Sequence, residues 1–361
     1  MDQPQSAVSN RHNPRTLVRM GIRETHSVVR IPKSAIGDQK SPVALCLGEL
    51  LIDLVPEPRG SSLGQARSLR IAPGGAPANV AVALQRLGTR TGFIGKVGDD
   101  PLGRHLHETL RQNGLDLALF RVSPEAQTRL ALVTNDANER QRFLFYGNAD
   151  VLLKPEEIRE NYIRQARFLH FGSISLICEP SRSATLAAVG FARKHGLTIS
   201  FDPNLRPPLW PNLRTARAEI LKAIRFCDVL KINQFEWDFL FPERRIETDF
   251  AFLESLGVQL VAVTRDAAGS RIATRNGCVS VATRRVAVAD TTGAGDGFMA
   301  ALIFQLAQRP ASLTAERSEL AQLASFANAV GTLTCTRAGA IPAFPSLGRV
   351  RKFLRSAGSP T

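Results

Sequence analysis

The sequence has few cysteines, and their arrangement argues against both disulfide-rich and zinc-binding proteins. The five cysteines are odd in number, far apart and without a Cys-x-x-Cys pair. They are Cys46, Cys178, Cys227, Cys278 and Cys335. Secreted disulfide scaffolds and zinc-ribbon proteins are therefore disfavoured, and we expect a protein of the reducing cytoplasm.

Long apolar runs are also missing. No segment approaches the roughly 18–20 consecutive apolar residues of a membrane span, and the first residues lack the roughly 7–15-residue apolar core of a secretory signal. We expect neither membrane association nor secretion.

Acidic residues are scarce relative to basic ones. The 32 Asp and Glu against 46 Lys and Arg leave a net charge of +14. Residues 1–41 hold seven basic and three acidic residues, a surplus of four, and show no hydrophobic periodicity. They are predicted to be a flexible basic extension, although transit peptides share this composition. The phenylalanines lie in apolar runs rather than between basic residues, so no nucleic-acid partner is expected.

Neither common nucleotide-binding loop occurs. The sequence has no Gly-x-x-x-x-Gly-Lys-[Ser/Thr], and its glycines at 293, 295 and 297 lack the Gly-x-Gly-x-x-Gly spacing. P-loop NTPases and Rossmann dehydrogenases are therefore disfavoured.

The sequence does contain apolar strand-like runs that alternate with helical segments. Strands are predicted at 43–55, 91–97, 168–172, 197–202, 229–232 and 260–264. Helices are predicted at 76–87, 102–113, 181–195 and 215–226. This alternation predicts an α/β fold, a three-layer αβα sandwich with a doubly wound, mostly parallel sheet.

Two segments, 56–72 and 116–147, interrupt the alternation. Within the second, residues 129–134 and 140–145 flank a polar turn and predict an antiparallel hairpin. Since ligands bind outside the carboxyl ends of parallel strands, a small β-sheet there would form a lid. We expect one domain over 42–350 with this inserted lid, followed by a short tail at 351–361.

The most informative motif is Asp-Thr-Thr-Gly-Ala-Gly-Asp-Gly-Phe at 290–298, which leads into an apolar helix at 299–306. Glycine lets the backbone approach a ligand, and N–H groups of a first helical turn bind anionic oxygens. We predict that Gly293, Ala294 and Gly295 hold phosphate oxygens. Asp296 would accept the proton of a hydroxyl that attacks phosphorus. Helix capping is the alternative role for Asp296.

Three motifs together resemble the ribokinase-like (PfkB-type) carbohydrate kinases. Residues 73–81 (Pro-Gly-Gly-Ala-Pro-Ala-Asn-Val-Ala) and 94–103 are similar to the N-terminal signature of that family, and 290–298 to its C-terminal signature. The similarity extends from about 43 to 347. Segments 48–53, 171–176 and 201–210 resemble the fructokinases within the family.

The resemblance implies an ATP- and Mg²⁺-dependent sugar kinase that converts fructose to fructose 6-phosphate. Asp296 would be the catalytic base, and the amides of 293–295 the anion hole. The substrate-binding residues implied by the family are Asp53, Gly74, Gly75 and Asn79. Two further arginines, Arg129 and Arg206, lie in lid and core segments from which they would face the sugar or the phosphate.

The resemblance also implies nucleotide and cation sites. Asn233 and Glu236 match an Asn-x-x-Glu motif that positions Mg²⁺ and phosphate, although a helix-capping pair has the same spacing. The nucleotide residues are Thr264, Gly269 and Asn328. A monovalent-cation site, for K⁺, would comprise Asp290, Thr292 and the carbonyls of Thr334 and Gly339. A homodimer formed through the lid is a further expectation.

Two positions depart from the family pattern. Asp266 stands where the loop before the nucleotide phosphates usually has Gly, which predicts reduced ATP affinity, offset in part by Arg265. Ala343 replaces a residue that contributes to the cation site in some relatives, which leaves K⁺ activation open.

Other functions remain open from the sequence. Asp-x-Asn-x-Arg at 202–206 also suits 2-keto-3-deoxygluconate kinases, whose substrate carboxylate needs a cation such as Arg206 or Arg129. Ribokinase and nucleoside kinase are further alternatives. A non-catalytic sugar-binding protein is favoured by Asp266 and disfavoured by the intact motif at 293–296.

Overall fold

The computed structural model describes residues 41–57, 61–135 and 141–356. Its strands are β1 (Ala44–Leu47), β2 (Leu51–Glu57), β3 (Ser68–Gly74), β4 (Thr91–Gly98), β5 (Asp116–Ser123), β6 (Leu130–Asn135), β7 (Gln141–Tyr146), β8 (Phe168–Gly172), β9 (Thr198–Asp202), β10 (Val229–Asn233), β11 (Leu260–Thr264), β12 (Ser270–Thr274) and β13 (Gly277–Val281). Its α-helices are α1 (Ala76–Leu87), α2 (Pro101–Gln112), α3 (Glu160–Ile163), α4 (Ser181–Lys194), α5 (Leu213–Ile224), α6 (Gln234–Leu240), α7 (Phe250–Ser255), α8 (Ala294–Gln308), α9 (Arg317–Thr334), α10 (Ala340–Ala343) and α11 (Leu347–Arg355).

The larger sheet is covered by helices on both faces. Its order is β13-β12-β11-β10-β9-β8-β1-β4-β5, parallel from β11 to β5 and antiparallel at β12 and β13. In β1, Ala44 and Cys46 pack with α1, α8 and α9, whereas Leu45 and Leu47 pack with α4 and α5. Burial on both faces explains the continuous apolar strand runs. The predicted αβα sandwich is confirmed.

The helices predicted at 76–87, 102–113, 181–195 and 215–226, and all strands but the first, agree with the structure to within two residues at each end. The helix predicted at 299–306 begins five residues earlier, because α8 includes the glycines of the motif and runs from Ala294 to Gln308. The first strand, 43–55, is instead two strands in different sheets. The chain leaves the large sheet after Leu47 and turns at Gly48 (φ 150°), where a Cβ would lie 2.6 Å from Cγ of Pro77. Hydrophobic periodicity carries no information on which sheet a strand joins, so the change was not predicted.

Two predicted boundaries are wrong. Of the lid segment 116–147, β5 belongs to the edge of the large sheet, where it pairs with β4. The predicted tail begins inside α11, which runs from Leu347 to Arg355, with the Ser346 side chain as its N-cap. Of the predicted extension 1–41, all but Ser41 lie outside the described residues.

The smaller sheet has the order β3-β2-β6-β7. The predicted hairpin is the antiparallel pair β6–β7, and its turn at 136–140 lies outside the described residues. Side chains of β2 and β7, among them Asp53 and Phe143, line a cleft whose other wall comes from the carboxyl ends of β10 and β11. In the described part of the chain, no helix is both long and apolar enough to cross a membrane.

Candidate active site

A cleft of about 1050 Å³ lies between the smaller sheet and the strand ends of the larger one. It is large enough for a ligand bigger than a typical small molecule. Fifteen of the predicted site residues line it: Asp53, Gly75, Asn79, Arg206, Asn233, Thr264, Gly269, Asp290, Thr292, Gly293, Ala294, Gly295, Asp296, Asn328 and Gly339. Four do not: Gly74, Arg129, Glu236 and Thr334.

The start of α8 forms the floor of the cleft. Gly293 is its N-cap residue in the left-handed conformation (φ 81°), where a Cβ would lie 2.6 Å from Cβ of Ala340. At Gly295 a Cβ would lie 2.8 Å from Nζ of Lys231. Without side chains here, the backbone N–H groups of the first turn remain accessible for anionic oxygens.

Asp296 lies in this turn and is 7% exposed. It does not cap the helix, since Gly293 is the N-cap residue and no side-chain cap bond is made. Its Oδ2 accepts a hydrogen bond of 2.8 Å from Nδ2 of Asn79 in α1. Burial raises the pKa of Asp296 to about 6, while the Asn79 bond limits the rise. The carboxylate is thus a stronger base than a free aspartate and is still ionised at neutral pH.

Asp53 lies at the opposite wall, in the middle of β2 rather than at the end of the first strand as predicted. Burial raises its pKa to about 7, and the Arg206 charge opposes this rise. Gly74 is adjacent, and any Cβ there would overlap Oδ2 of Asp53. Gly74 therefore makes room for the Asp53 carboxylate instead of lining the cleft.

The two candidate arginines have different environments. Nε of Arg129 lies 2.9 Å from both carboxylate oxygens of Asp150, and both side chains are buried. The prediction that Arg129 faces the ligand is wrong, because a buried guanidinium needs a carboxylate partner and Asp150 supplies it. Arg206 does line the cleft, and its guanidinium lies 5.7 Å from the centre of the Phe143 ring.

Asn233 and Glu236 form a capping box at the start of α6. Oε2 of Glu236 accepts from the Asn233 N–H at 2.9 Å, and Oε1 accepts from the Leu205 N–H at 2.7 Å. With both oxygens engaged, Glu236 does not reach the cleft directly. The helix-capping alternative therefore describes Glu236 in this structure. The predicted role of Asn233 and Glu236 in positioning Mg²⁺ and phosphate stays a prediction.

The three predicted nucleotide residues Thr264, Gly269 and Asn328 all line the cleft. Nδ2 of Asn328 donates to the Val281 carbonyl at 3.0 Å. Asp266 is exposed and has φ 46°, a left-handed conformation that explains why Gly is usual there. Arg265 does not line the cleft, because its Nη2 donates to Ser280 Oγ at 2.7 Å.

Asp290 connects two loops beside the anion hole. Its Oδ1 accepts from the N–H (2.9 Å) and hydroxyl (2.7 Å) of Thr292, and its Oδ2 accepts from the Gly339 N–H at 2.9 Å. Three of the four predicted cation residues therefore lie together. Thr334 does not line the cleft, and its hydroxyl donates to the Val330 carbonyl within α9. The predicted role of the Thr334 carbonyl at the cation stays a prediction.

Among the cleft residues missed from the sequence are two buried charged side chains, Glu49 and Lys231. Oε1 of Glu49 accepts from the Ala76 N–H at 2.9 Å, and burial raises the Glu49 pKa to about 7. Lys231 is 5% exposed and bonds to Asp202. The sequence signal for Lys231 was a single charged residue within the apolar strand 229–232. It was interpreted only as part of that strand and was given no functional role.

The fold and the cleft together define a phosphoryl-transfer enzyme of the sugar-kinase class. Residues 43–347 match the profile of the pfkB family carbohydrate kinase, and the chain belongs to this family. Fructokinase-1 of Oryza sativa subsp. japonica is 41% identical over 321 residues, which cover 88% of this chain and 99% of that protein.

Two solved structures are similar over most of the chain. A fructokinase with bound ATP from Xylella fastidiosa has a TM-score of 0.80 and 31% identity, covering 88% of this chain and 99% of that one. A fructokinase double mutant from Vibrio cholerae O395, with fructose, ADP and a potassium ion, has a TM-score of 0.77 and 32% identity, covering 88% and 100%.

Proposed function

We propose that the protein is an ATP-dependent fructokinase that transfers the γ-phosphoryl group to fructose and forms fructose 6-phosphate. The observation that supports this most is the position of Asp296 in the same helical turn as the 293–295 amides, within a cleft whose other wall carries Asp53. The similar proteins named above are fructokinases.

In this proposal catalysis is mainly positioning and charge stabilisation. Asp53 binds hydroxyls of the sugar, and Asn79 holds Asp296 in the orientation to receive the proton of the attacking hydroxyl. The N–H groups of 293–295 bind oxygens of the transferring group. The small sheet covers the sugar and excludes water.

The charges at the sugar end favour a neutral sugar over a carboxylate such as 2-keto-3-deoxygluconate. Arg129 is neutralised by Asp150. Arg206 faces a group of acids, since its charge lowers the pKa of Glu49, Asp53 and Asp296 against burial. A substrate carboxylate would add repulsion here, whereas hydroxyls donate hydrogen bonds to these acids.

ATP and Mg²⁺ are the proposed co-substrate and cofactor. Mg²⁺ commonly keeps water ligands and binds through nucleotide phosphates, with few protein ligands. Asn233 lines the cleft, whereas Glu236 would act through Asn233 or water because its oxygens are already bonded. Mg²⁺ would supply charge neutralisation on the phosphates. We also propose a K⁺ site at the Asp290 loops, which an activity comparison in K⁺ and Na⁺ buffers tests.

The decisive experiment is an ADP-release assay on fructose, 2-keto-3-deoxygluconate, ribose and a nucleoside. Fructose should give the highest kcat/KM, and Asp296→Ala should lower kcat by about 10² to 10⁴, the usual contribution of a general base. If calorimetry shows that a sugar binds but no sugar gives ADP, the protein is a non-catalytic binding protein. A parental rate in Asp296→Ala would refute the assigned base.

We further propose a homodimer through the small sheet. Strand alternation places Phe143 and Asp53 on the cleft side, and Leu69, Ile71, Leu144 and Tyr146 on the outer side. These four outer residues are 41–56% exposed. Monomers rarely expose such contiguous apolar faces.

Sedimentation analysis tests the dimer. Ile71→Lys should give a monomer, whereas the matched change Leu186→Lys, at a leucine 39% exposed on α4, should leave the dimer intact. A monomeric parental protein would refute the interface.

A cytoplasmic location is also proposed, as is a single domain that begins at residue 42 and includes α11. All five cysteines are free thiols, which suits a reducing compartment. Imaging of the full chain and of residues 42–361 fused to a fluorescent protein tests the location. An organellar signal that disappears without residues 1–41 would show that they are a transit peptide.

A further inference from the structure

A lysine lies fully inside the protein next to the anion hole. Lys231 is on β10, is 5% exposed and lines the cleft. Its Nζ is so near Gly295 that a Cβ built on that glycine would lie 2.8 Å away. The absence of a side chain at 295 therefore leaves space for the ammonium as well as for a ligand.

The environment keeps this lysine charged. Burial by itself lowers the pKa of Lys231, but the carboxylates of Asp202, Glu236 and Asp296 outweigh burial and raise it above the usual value. Nζ donates to Oδ2 of Asp202 at 2.8 Å, on the neighbouring parallel strand β9. Asp202 is 2% exposed, and its Oδ1 has no hydrogen-bond partner among the described residues.

A buried ion pair contributes little net stability, because the desolvation of both charges offsets their attraction. Replacing such a pair by apolar residues is often neutral or stabilising, so its presence at a cleft points to chemistry rather than to folding. Lysine is a compact point charge and binds phosphate oxygens well. Nζ of Lys231 lies beside Gly295 in the cleft, and it has two further protons besides the one donated to Asp202, so they can reach a phosphate held by the helix amides.

We propose that Lys231 is a catalytic residue that binds the transferring phosphoryl group, and that Asp202 is the positioning residue that holds it there. This rests on the proposed kinase function. The bond from the sugar oxygen to phosphorus forms as the bond to the ADP oxygen breaks, and the hydroxyl proton goes to Asp296. Lys231 stays protonated throughout and stabilises the negative charge on the phosphoryl oxygens with a full charge, beside the neutral N–H groups.

The test compares Lys231→Met with a matched control. Lys96 on β4 is also buried, donates to the Leu152 carbonyl at 2.8 Å and pairs with Glu157 at 2.6 Å, but does not line the cleft. Lys231→Met should lower kcat about 10²- to 10³-fold, the usual loss on removing a transition-state charge donor, with the fructose KM within about twofold. Lys96→Met should lose stability and keep kcat.

Folding is controlled by a second variant. Because Lys231→Met leaves Asp202 buried without its cation, the double variant Lys231→Met with Asp202→Asn removes both charges. It should fold at least as well as the single variant and have the same low kcat. Asp202→Asn alone should keep more activity than Lys231→Met. A kcat within about threefold of the parent in a folded Lys231→Met variant would overturn the proposal and leave the fructokinase assignment intact.

If the parent protein phosphorylates no sugar, the kinase proposal fails, and calorimetry then tests the phosphate contact of Lys231 by itself. Lys231→Met should then weaken the binding of ATP about tenfold and that of ADP less than about twofold, because only ATP carries the γ-phosphoryl group. Equal losses for ATP and ADP would refute contact with that group, whatever the sugar.

Discussion

The pKa of the proposed base gives the sharpest prediction. Asn79→Ala removes the 2.8 Å hydrogen bond that Asp296 receives from Nδ2. A hydrogen bond to a charged group contributes about 1.5–3 kcal/mol, and one pKa unit corresponds to about 1.4 kcal/mol. The pKa of Asp296 is about 6 with this hydrogen bond in place. Loss of the bond should therefore move the acid limb of the kcat–pH profile upward by about one to two pH units.

The sign follows from the role of a base. Asp296 must be ionised to accept a proton, so a higher pKa costs activity at pH 6–7 and none well above it. Steady-state kcat at saturating fructose and ATP should be measured from pH 5 to 9. The ratio of the Asn79→Ala kcat to the parental kcat should be lowest at pH 6.5 and below and rise to a plateau by about pH 8.5, where any remaining loss reflects the orientation of Asp296.

Asn328→Ala is the matched control, because the hydrogen bond of the Asn328 amide goes to the Val281 carbonyl, a group that does not titrate. It should raise the KM for ATP and leave the acid limb in place. An acid limb unchanged in Asn79→Ala would mean that Asp296 is not the group that titrates, and the reasoning would be refuted. An equal shift in Asn328→Ala would show a general effect of cleft substitutions.

Two other substitutions test charges at the ends of the cleft. Asp266→Asn removes an exposed charge near the proposed nucleotide site, and Asn tolerates the left-handed backbone conformation of this position. Exposed charge pairs contribute roughly 0.5–1 kcal/mol, so the KM for ATP should fall about two- to fivefold, and less at high salt. A higher KM would show that Asp266 binds the nucleotide. Glu49 has a folded-state pKa raised by burial to about 7, so its contribution to stability declines as pH rises from about 4.5 through 7. Glu49→Gln, which keeps an oxygen for the Ala76 N–H, should be about 1–3 kcal/mol more stable than the parent at pH 8.5 and not at pH 5, by chemical denaturation. Equal differences at both pH values would contradict this.

Local motifs were readable from the sequence because their parts are neighbours in the chain. Gly293 to Asp296 fall in one helical turn, so the anion hole and the base are set by residue order and helix geometry alone. The capping box of Asn233 and Glu236 is likewise local, and its spacing was recognised as ambiguous. The alternation of buried strands and helices was sufficient for the αβα architecture.

The tertiary structure decided which charges face the ligand. Arg129 and Arg206 are indistinguishable in sequence, but Asp150, 21 residues from Arg129, removes one of them from the cleft. Lys231 looks like an interruption of an apolar strand until Asp202, 29 residues away, is seen beside it. The passage of the chain from the large sheet to the small one at Gly48 is likewise visible only in the tertiary structure. Burial and pairing depend on neighbours distant in the chain, and no local pattern specifies them.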